Sequence, residues 1–296
     1  MGQLLGVLIT GIAAGVPLFL TASGLTLIYG VMRVLNFAHG ALFMLGAYMA
    51  ATWLHGGVAP GGFPLAVVAA AVAVAAVGVL IERVVFRRLY GSDEVVGLLA
   101  SYALLLSLVG LSQLVWGVDP LSVPIPKLLS SAIQNGPIVI GYYYILLTAA
   151  GAVVALGLWL LVDRTSFGRA IRATAYDRDM ASAIGIPVER IGMGVFALGA
   201  ALAGFAGALQ SPLVAVDASL AFSFIVQAFA VVLIGGLGSV AGSLAGAVVL
   251  GIVQTVLISY APAVAGYGVY ATLGIIMLAR TFVPMLRRAD EAEILG

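Results

Sequence analysis

The sequence predicts an all-α, polytopic transmembrane helical bundle of eight or nine spans, some of them broken, and three observations carry that prediction. The first is composition. Of 296 residues, 63% are hydrophobic and 8% charged, with a mean hydropathy of +1.19, against about 45–50% apolar and about 25% charged in a soluble domain. The second is the clustering of charge. Of the 25 charged residues, 21 fall in three blocks at 82–94, 163–190 and 280–293, leaving long uncharged stretches that supply the ~20 apolar residues a spanning helix needs. The third is the absence of period-two alternation in runs such as 143–162. This excludes a β-barrel, the other architecture that satisfies its backbone polar groups in lipid.

Proline, glycine and charge punctuate the chain into segments at roughly 4–29, 38–54, 64–81, 95–116, 143–162, 190–211, 222–237, 242–260 and 268–286. The first follows Met1-Gly2-Gln3 with no basic region ahead of it, so it reads as a retained span rather than a cleaved signal. Residues 1–37 are open to two readings, one long tilted span or a span plus a broken piece. The second and third segments are parted by the glycine- and proline-containing stretch 55–63, and the third ends at Glu82-Arg83. The fourth lies between Asp93-Glu94 and a proline-rich loop, 117–138, and the fifth between that loop and Asp163. Pro187 and Pro212 bound the sixth, and glycines near 238 separate the seventh from the eighth. Eleven of the 13 basic residues lie in the three charged blocks, so the positive-inside rule places those blocks in the cytoplasm. Alternation then puts 117–138, 212–221 and 260–267 outside, and the tail 287–296 inside. The whole chain, 1–296, reads as one transmembrane domain in contact with membrane lipid.

Several function classes are excluded. With no cysteine, the chain has no disulfide scaffold, thiolate chemistry or Cys-ligated metal. A net charge of +1 is not that of a nucleic-acid binder. The single lysine, Lys127, is in no Gly-x-x-x-x-Gly-Lys-Ser/Thr sequence, so the chain carries no phosphate-binding loop of its own. No metalloprotease or Gly-x-Ser-x-Gly motif occurs, and two histidines, His39 and His55, are too few for a metal cluster. Acids within the spans, common in ion-driven transporters, are almost absent, and Asp217 is placed at an outer edge. Uphill transport by this chain would draw its energy from another subunit.

The block 163–190 predicts one helix from about Arg169 to Ile184, capped by Thr165 or Ser166 and stopped by Gly185 and Pro187. Small residues (Ala170, Ala173, Ala175, Ala181) are interleaved with Arg169, Arg172, Asp177, Arg178 and Asp179. Such a helix could seat in a groove of a soluble partner, oriented by its charges, or be an interfacial helix solvated on its charged side. In the stretch 24–49, Asn36 and His39 are three residues apart and so predicted on one helix face, with Gly30 and Gly40 weakening the helix on either side. They could line a cavity in a discontinuous helix or hydrogen-bond to neighbouring helices; Arg33 would snorkel to the interface. In 235–251, Gly238, Gly242 and Gly246 recur every four residues, a spacing that lets helix backbones approach closely. Gly199, Ala203 and Gly207 repeat it. A turn at 235–239 is the alternative.

Three of these stretches carry a resemblance. Gly168-Arg169-Ala170, Arg172-Ala173, Asp177, Ala181 and Gly185-Ile186 resemble the cytoplasmic coupling motif of bacterial ABC importer permeases, in a looser form without a clean Glu-Ala-Ala start. Leu25 to Gly30, followed by Asn36-Phe37-Ala38-His39-Gly40, resembles the N-terminal motif of LivH-type permeases of branched-chain (hydrophobic) amino-acid ABC importers. Gly235 to Ser239 is similar to a Gly-Gly-x-Gly-Ser segment of that family. The resemblance implies a non-enzymatic permease subunit of a bacterial inner-membrane importer, working by alternating access. Its implied partners are a second, paralogous permease, two ATPase subunits that bind ATP and magnesium, and an extracytoplasmic solute-binding protein. No cofactor is expected on this chain. Gly168, Arg169, Arg172, Ala173, Asp177 and Gly185 are then the ATPase-coupling candidates, and Asn36, Phe37, His39 and Gly40 the pathway candidates. Urea or short amides within the same family, or an ATP-independent channel, are the alternative readings of the solute and the energetics.

Overall fold

A computed structural model describes residues 2–54, 62–89, 91–135 and 138–279. His55 and the third charged block, from Arg280 onward, lie outside the described residues. The bundle is built from α1 (Gly2–Met32), α2 (Ala38–Leu54), α3 (Gly62–Val84), α4 (Glu94–Trp116), α5 (Tyr142–Trp159), α6 (Ser166–Tyr176), α7 (Arg178–Ala183), α8 (Val188–Gln210), α9 (Leu220–Gly235), α10 (Val240–Tyr260) and α11 (268–279). Each apolar segment read from the sequence holds a helix over its described residues, the last of them as far as 279. Among the described residues, seven helices are long and apolar enough to cross a membrane, not the eight or nine expected. The difference is helix length. At about 1.5 Å per residue, the 17 residues of α2 and the 16 of α9 reach about 24–26 Å, short of the ~30 Å hydrocarbon layer. Of the two readings of residues 1–37, the described residues 2–37 hold one long helix, because α1 continues unbroken through Pro17 and Gly30 to Met32. Its 31 residues extend about 46 Å, so it must tilt or project beyond the bilayer.

Of the two short helices, α2 is an interior element, while α9 leaves Phe222 and Val226 exposed. In α2, 14 of 17 residues are buried, held among α3, α4, α8 and α9. α1 packs on α10, α8, α5 and α9. Leu99, Leu106 and Leu114 of α4, Val153 and Leu156 of α5, and Ile275 and Leu278 of α11 are exposed large apolar side chains, the surface a lipid-facing helix presents. Polar side chains inside are mostly paired: Thr26 and Ser243 share a hydrogen bond of 2.9 Å between α1 and α10, and the Tyr143 hydroxyl donates to the Leu209 carbonyl at 2.5 Å.

Two sets of contacts fix which loops share an end. Arg87 donates to Glu189 and the Arg33 guanidinium donates to the Ala175 carbonyl at 2.8 Å, which joins the 82–94 block to the 163–190 block and to the end of α1. At the other end, Leu121 and Val216 exchange backbone hydrogen bonds of 2.9 and 2.8 Å. There, within the region read as a proline-rich loop, lies a small antiparallel hairpin, β1 (Ala132–Asn135) and β2 (Ile138–Gly141).

Candidate functional site

The chain between α1 and α2 is held in an irregular path by hydrogen bonds and ring contacts. Arg33 takes a left-handed conformation, φ +57°, which costs a residue with a Cβ roughly 1–2 kcal/mol. Its backbone N–H donates to the Tyr29 carbonyl at 2.8 Å, and its side chain holds Ala175. Further along, Ser101 of α4 staples the linker: its hydroxyl accepts from Phe37 N–H at 3.1 Å and lies 3.1 Å from the Leu35 carbonyl and 2.8 Å from its own Leu98 carbonyl. Phe37 sets its ring edge-on against Phe229 and Tyr102. The sequence offers a weak signal for Ser101, a lone hydroxyl in an apolar helix. Ser101→Val leaves the Phe37 N–H without its acceptor. The expected outcome is a loss of about 1–3 kcal/mol, read as a lowered Tm for the detergent-solubilised chain.

Asn36 and His39 are buried but do not share a helix face. The break falls at 33–37 rather than at Gly30, so Asn36 lies in the linker and its carbonyl accepts from His39 N–H at 3.3 Å as α2 begins. His39 Nε2 donates to the Thr21 carbonyl of α1 at 3.0 Å. Among the described residues, the Asn36 amide, both oxygen and nitrogen, finds no hydrogen-bond partner. Neither do His39 Nδ1 and Ser23 Oγ. Buried polar atoms are rarely left so, and three such side chains from one stretch of α1 and the following linker and helix mark the interior as a place built for polar contact. Gly40 brings α2 against α9, where a Cβ would overlap the Ala221 carbonyl. Gly30 has no such neighbour among the described residues.

The 163–190 block is two helices rather than one. Thr165 caps α6 by accepting from Gly168 N–H at 3.1 Å. Asp177, in an extended conformation, accepts from Met180 N–H at 2.9 Å and caps α7. An aspartate side chain competes for backbone donors in this way, which is why it ends one helix and starts another. Gly185, φ +88°, closes α7. Gly168 lies against the carbonyl groups of Leu161 and Val162, at the π-helical end of α5, where a Cβ would overlap both oxygens. Arg172 folds back onto the same turn, donating to the Val162 carbonyl and pairing with Asp163 at 3.3 Å. Arg169 is exposed and Ala173 half-buried. Away from the bundle the block presents Tyr176, Met180 and Ile184, at 92%, 59% and 68% exposure.

The glycine series at 238, 242 and 246 divides. Gly238, φ +86°, belongs to the turn before α10 and has no packing neighbour among the described residues, so it is not part of a helix face. Gly242 and Gly246 put α10 against α9, near Gly235 and Val231. Among the described residues, no group of three or more His, Asp or Glu could hold a metal ion.

The pattern of this chain matches the family described as the branched-chain amino acid transport system permease component, over residues 7–280. The chain belongs to that family. This permease is 34% identical over 263 residues to the high-affinity branched-chain amino acid transport system permease protein BraD of Pseudomonas aeruginosa, covering 83% of this chain and 84% of that one. It is 30% identical over 267 residues to the corresponding LivH protein of Escherichia coli, covering 84% of each. The family match spans the linker, the two-helix block and the glycine turn of the permease alike.

Proposed function

We propose that this permease is the membrane subunit of an ATP-driven importer of branched-chain or other hydrophobic amino acids, seated in a bacterial inner membrane. It works with a second permease, two ATPase subunits carrying ATP and magnesium, and an extracytoplasmic binding protein. The observation that carries the reading is the Arg33–Ala175 hydrogen bond. It ties α6 to the linker in which Asn36 lies, so a push on α6–α7 reaches a buried polar point between α1 and α2 directly. In this mechanism the ATPases close against α6 and α7, and Gly168 transmits the movement to the end of α5. The 33–37 linker then shifts between states that open the interior to one side or the other. A largely apolar interior suits an aliphatic side chain, and the few unpaired polar atoms suit the zwitterion of an amino acid.

Tyr176, Met180 and Ile184 are the knobs of the ATPase contact in this reading, because exposed apolar groups at the charged end of a membrane protein mark a partner surface. Replacing Met180 by aspartate is expected to abolish co-purification with the ATPase while the chain's own stability stays within about 0.5 kcal/mol, the usual range for an exposed position. Undiminished co-purification of M180D and of Y176D would overturn the assignment.

A further inference from the structure

Where α1 ends, a cavity of about 230 Å³ opens between the linker, the side formed by Phe86, Leu89, Gly91 and Ser92, and the α6–α7 junction. Its lining divides by chemistry. Val31, Phe86 and Leu89 form an apolar side, while Arg33, Arg178 and Thr174 supply polar groups, and among the described residues none of its lining is acidic. Thr174 is the telling member. Helical threonines elsewhere in this chain, such as Thr10, Thr21, Thr148 and Thr255, turn the hydroxyl back to the carbonyl four residues earlier. Thr174 does not: it is 3% exposed, and among the described residues its Oγ1 has no partner. The Arg33 guanidinium uses one donor on Ala175, and an arginine carries five.

We infer that this cavity binds a phosphate-bearing anion, supplied by the headgroup of an anionic phospholipid. Arg33 offers a charge-assisted contact to the phosphate oxygens, the Thr174 hydroxyl a second donor, and Arg178 a second positive charge. The apolar side accommodates the glycerol end of the lipid. Basic pockets between helices at a membrane boundary recognise lipid headgroups on this principle. The occupant would brace the joint between α1 and α6, and the inference stands whatever solute the permease carries.

The test is native mass spectrometry and thermal unfolding of the full chain, purified into phosphatidylcholine nanodiscs with and without phosphatidylglycerol. The variants are Arg33→Gln, Thr174→Val and, as a control outside the cavity, Arg87→Gln. Wild type and R87Q are expected to retain phosphatidylglycerol and to melt higher in its presence. R33Q and T174V should retain it about tenfold less, the order expected for losing one hydrogen bond to a charged group. T174V keeps the side-chain shape, so its loss cannot be assigned to misfolding. If inorganic phosphate alone reproduces the stabilisation in wild type and not in R33Q, the phosphate site stands and its source is soluble. Equal retention by all four chains, or an equal fall in R87Q, overturns the inference.

Discussion

A Gly168→Val permease is expected to reach the membrane but to lose about tenfold or more of its affinity for the ATPase subunits, and its transport with it. Gly168 lies in the first turn of α6, with Thr165 accepting its N–H. An added side chain there meets the carbonyl oxygens of Leu161 and Val162, which are backbone and cannot swing aside. Relief requires α6 to move off the end of α5, and overpacking of this kind costs typically about 1–3 kcal/mol, where ~1.4 kcal/mol is a factor of ten in an equilibrium constant. The bundle above it loses no contact, so insertion and the solubility of the chain should be preserved. Co-purification of the ATPase with G168V, and ATP hydrolysis by the assembled complex, check the result. An unchanged complex would remove Gly168 from the coupling path.

The second large effect separates stability from function at one residue. Asn36 is fully buried and its amide is unpaired among the described residues. Replacing it by leucine removes that burden, and an unsatisfied buried polar group costs about 1–3 kcal/mol. N36L is therefore expected to melt at or above the wild-type temperature. If the amide serves the passing solute, uptake by the same variant falls about tenfold or more, as a lost hydrogen bond to a charged group requires, while the ATPase still co-purifies. A lowered Tm with full uptake would make Asn36 a packing residue instead. The two variants fail differently, one at assembly and one at transport, which keeps the two halves of the mechanism separable.

Much of the fold is legible in the order of the residues. Uncharged runs determine which segments sit in lipid, because a charge there is expensive. The joining of Arg87 to Glu189 agrees with two blocks that the positive-inside rule expects on one side, and that of Arg33 to Ala175 with an arginine expected at the interface. The span count is less legible than the helix bounds. The run 38–54 coincides with α2 and the run 222–237 lies within two residues of α9, yet at 17 and 16 residues both are shorter than the ~20 residues that a full crossing takes. The break at Asp177 is a contest between a side chain and the backbone for the same N–H groups, and a count of helix formers does not score it. The hairpin is not legible, because the prolines at 120, 124, 126 and 137 argue against strands in that loop. At the interior site, the residue types at 36–40 are evident. That Asn36 stands outside the helix, in a linker that Ser101 staples at Leu35 and Phe37, depends on contacts across 64 to 66 positions, which no local pattern encodes.

In the proposed mechanism this chain conducts an amino acid only when separate ATPase subunits drive it. The direct measurement is uptake of radiolabelled leucine into proteoliposomes that hold this permease with its partner permease, the ATPases and the binding protein. Uptake is expected to require ATP and to cease when the ATPases are omitted. Leucine flux through the permease alone, unaffected by ATP, would overturn the mechanism.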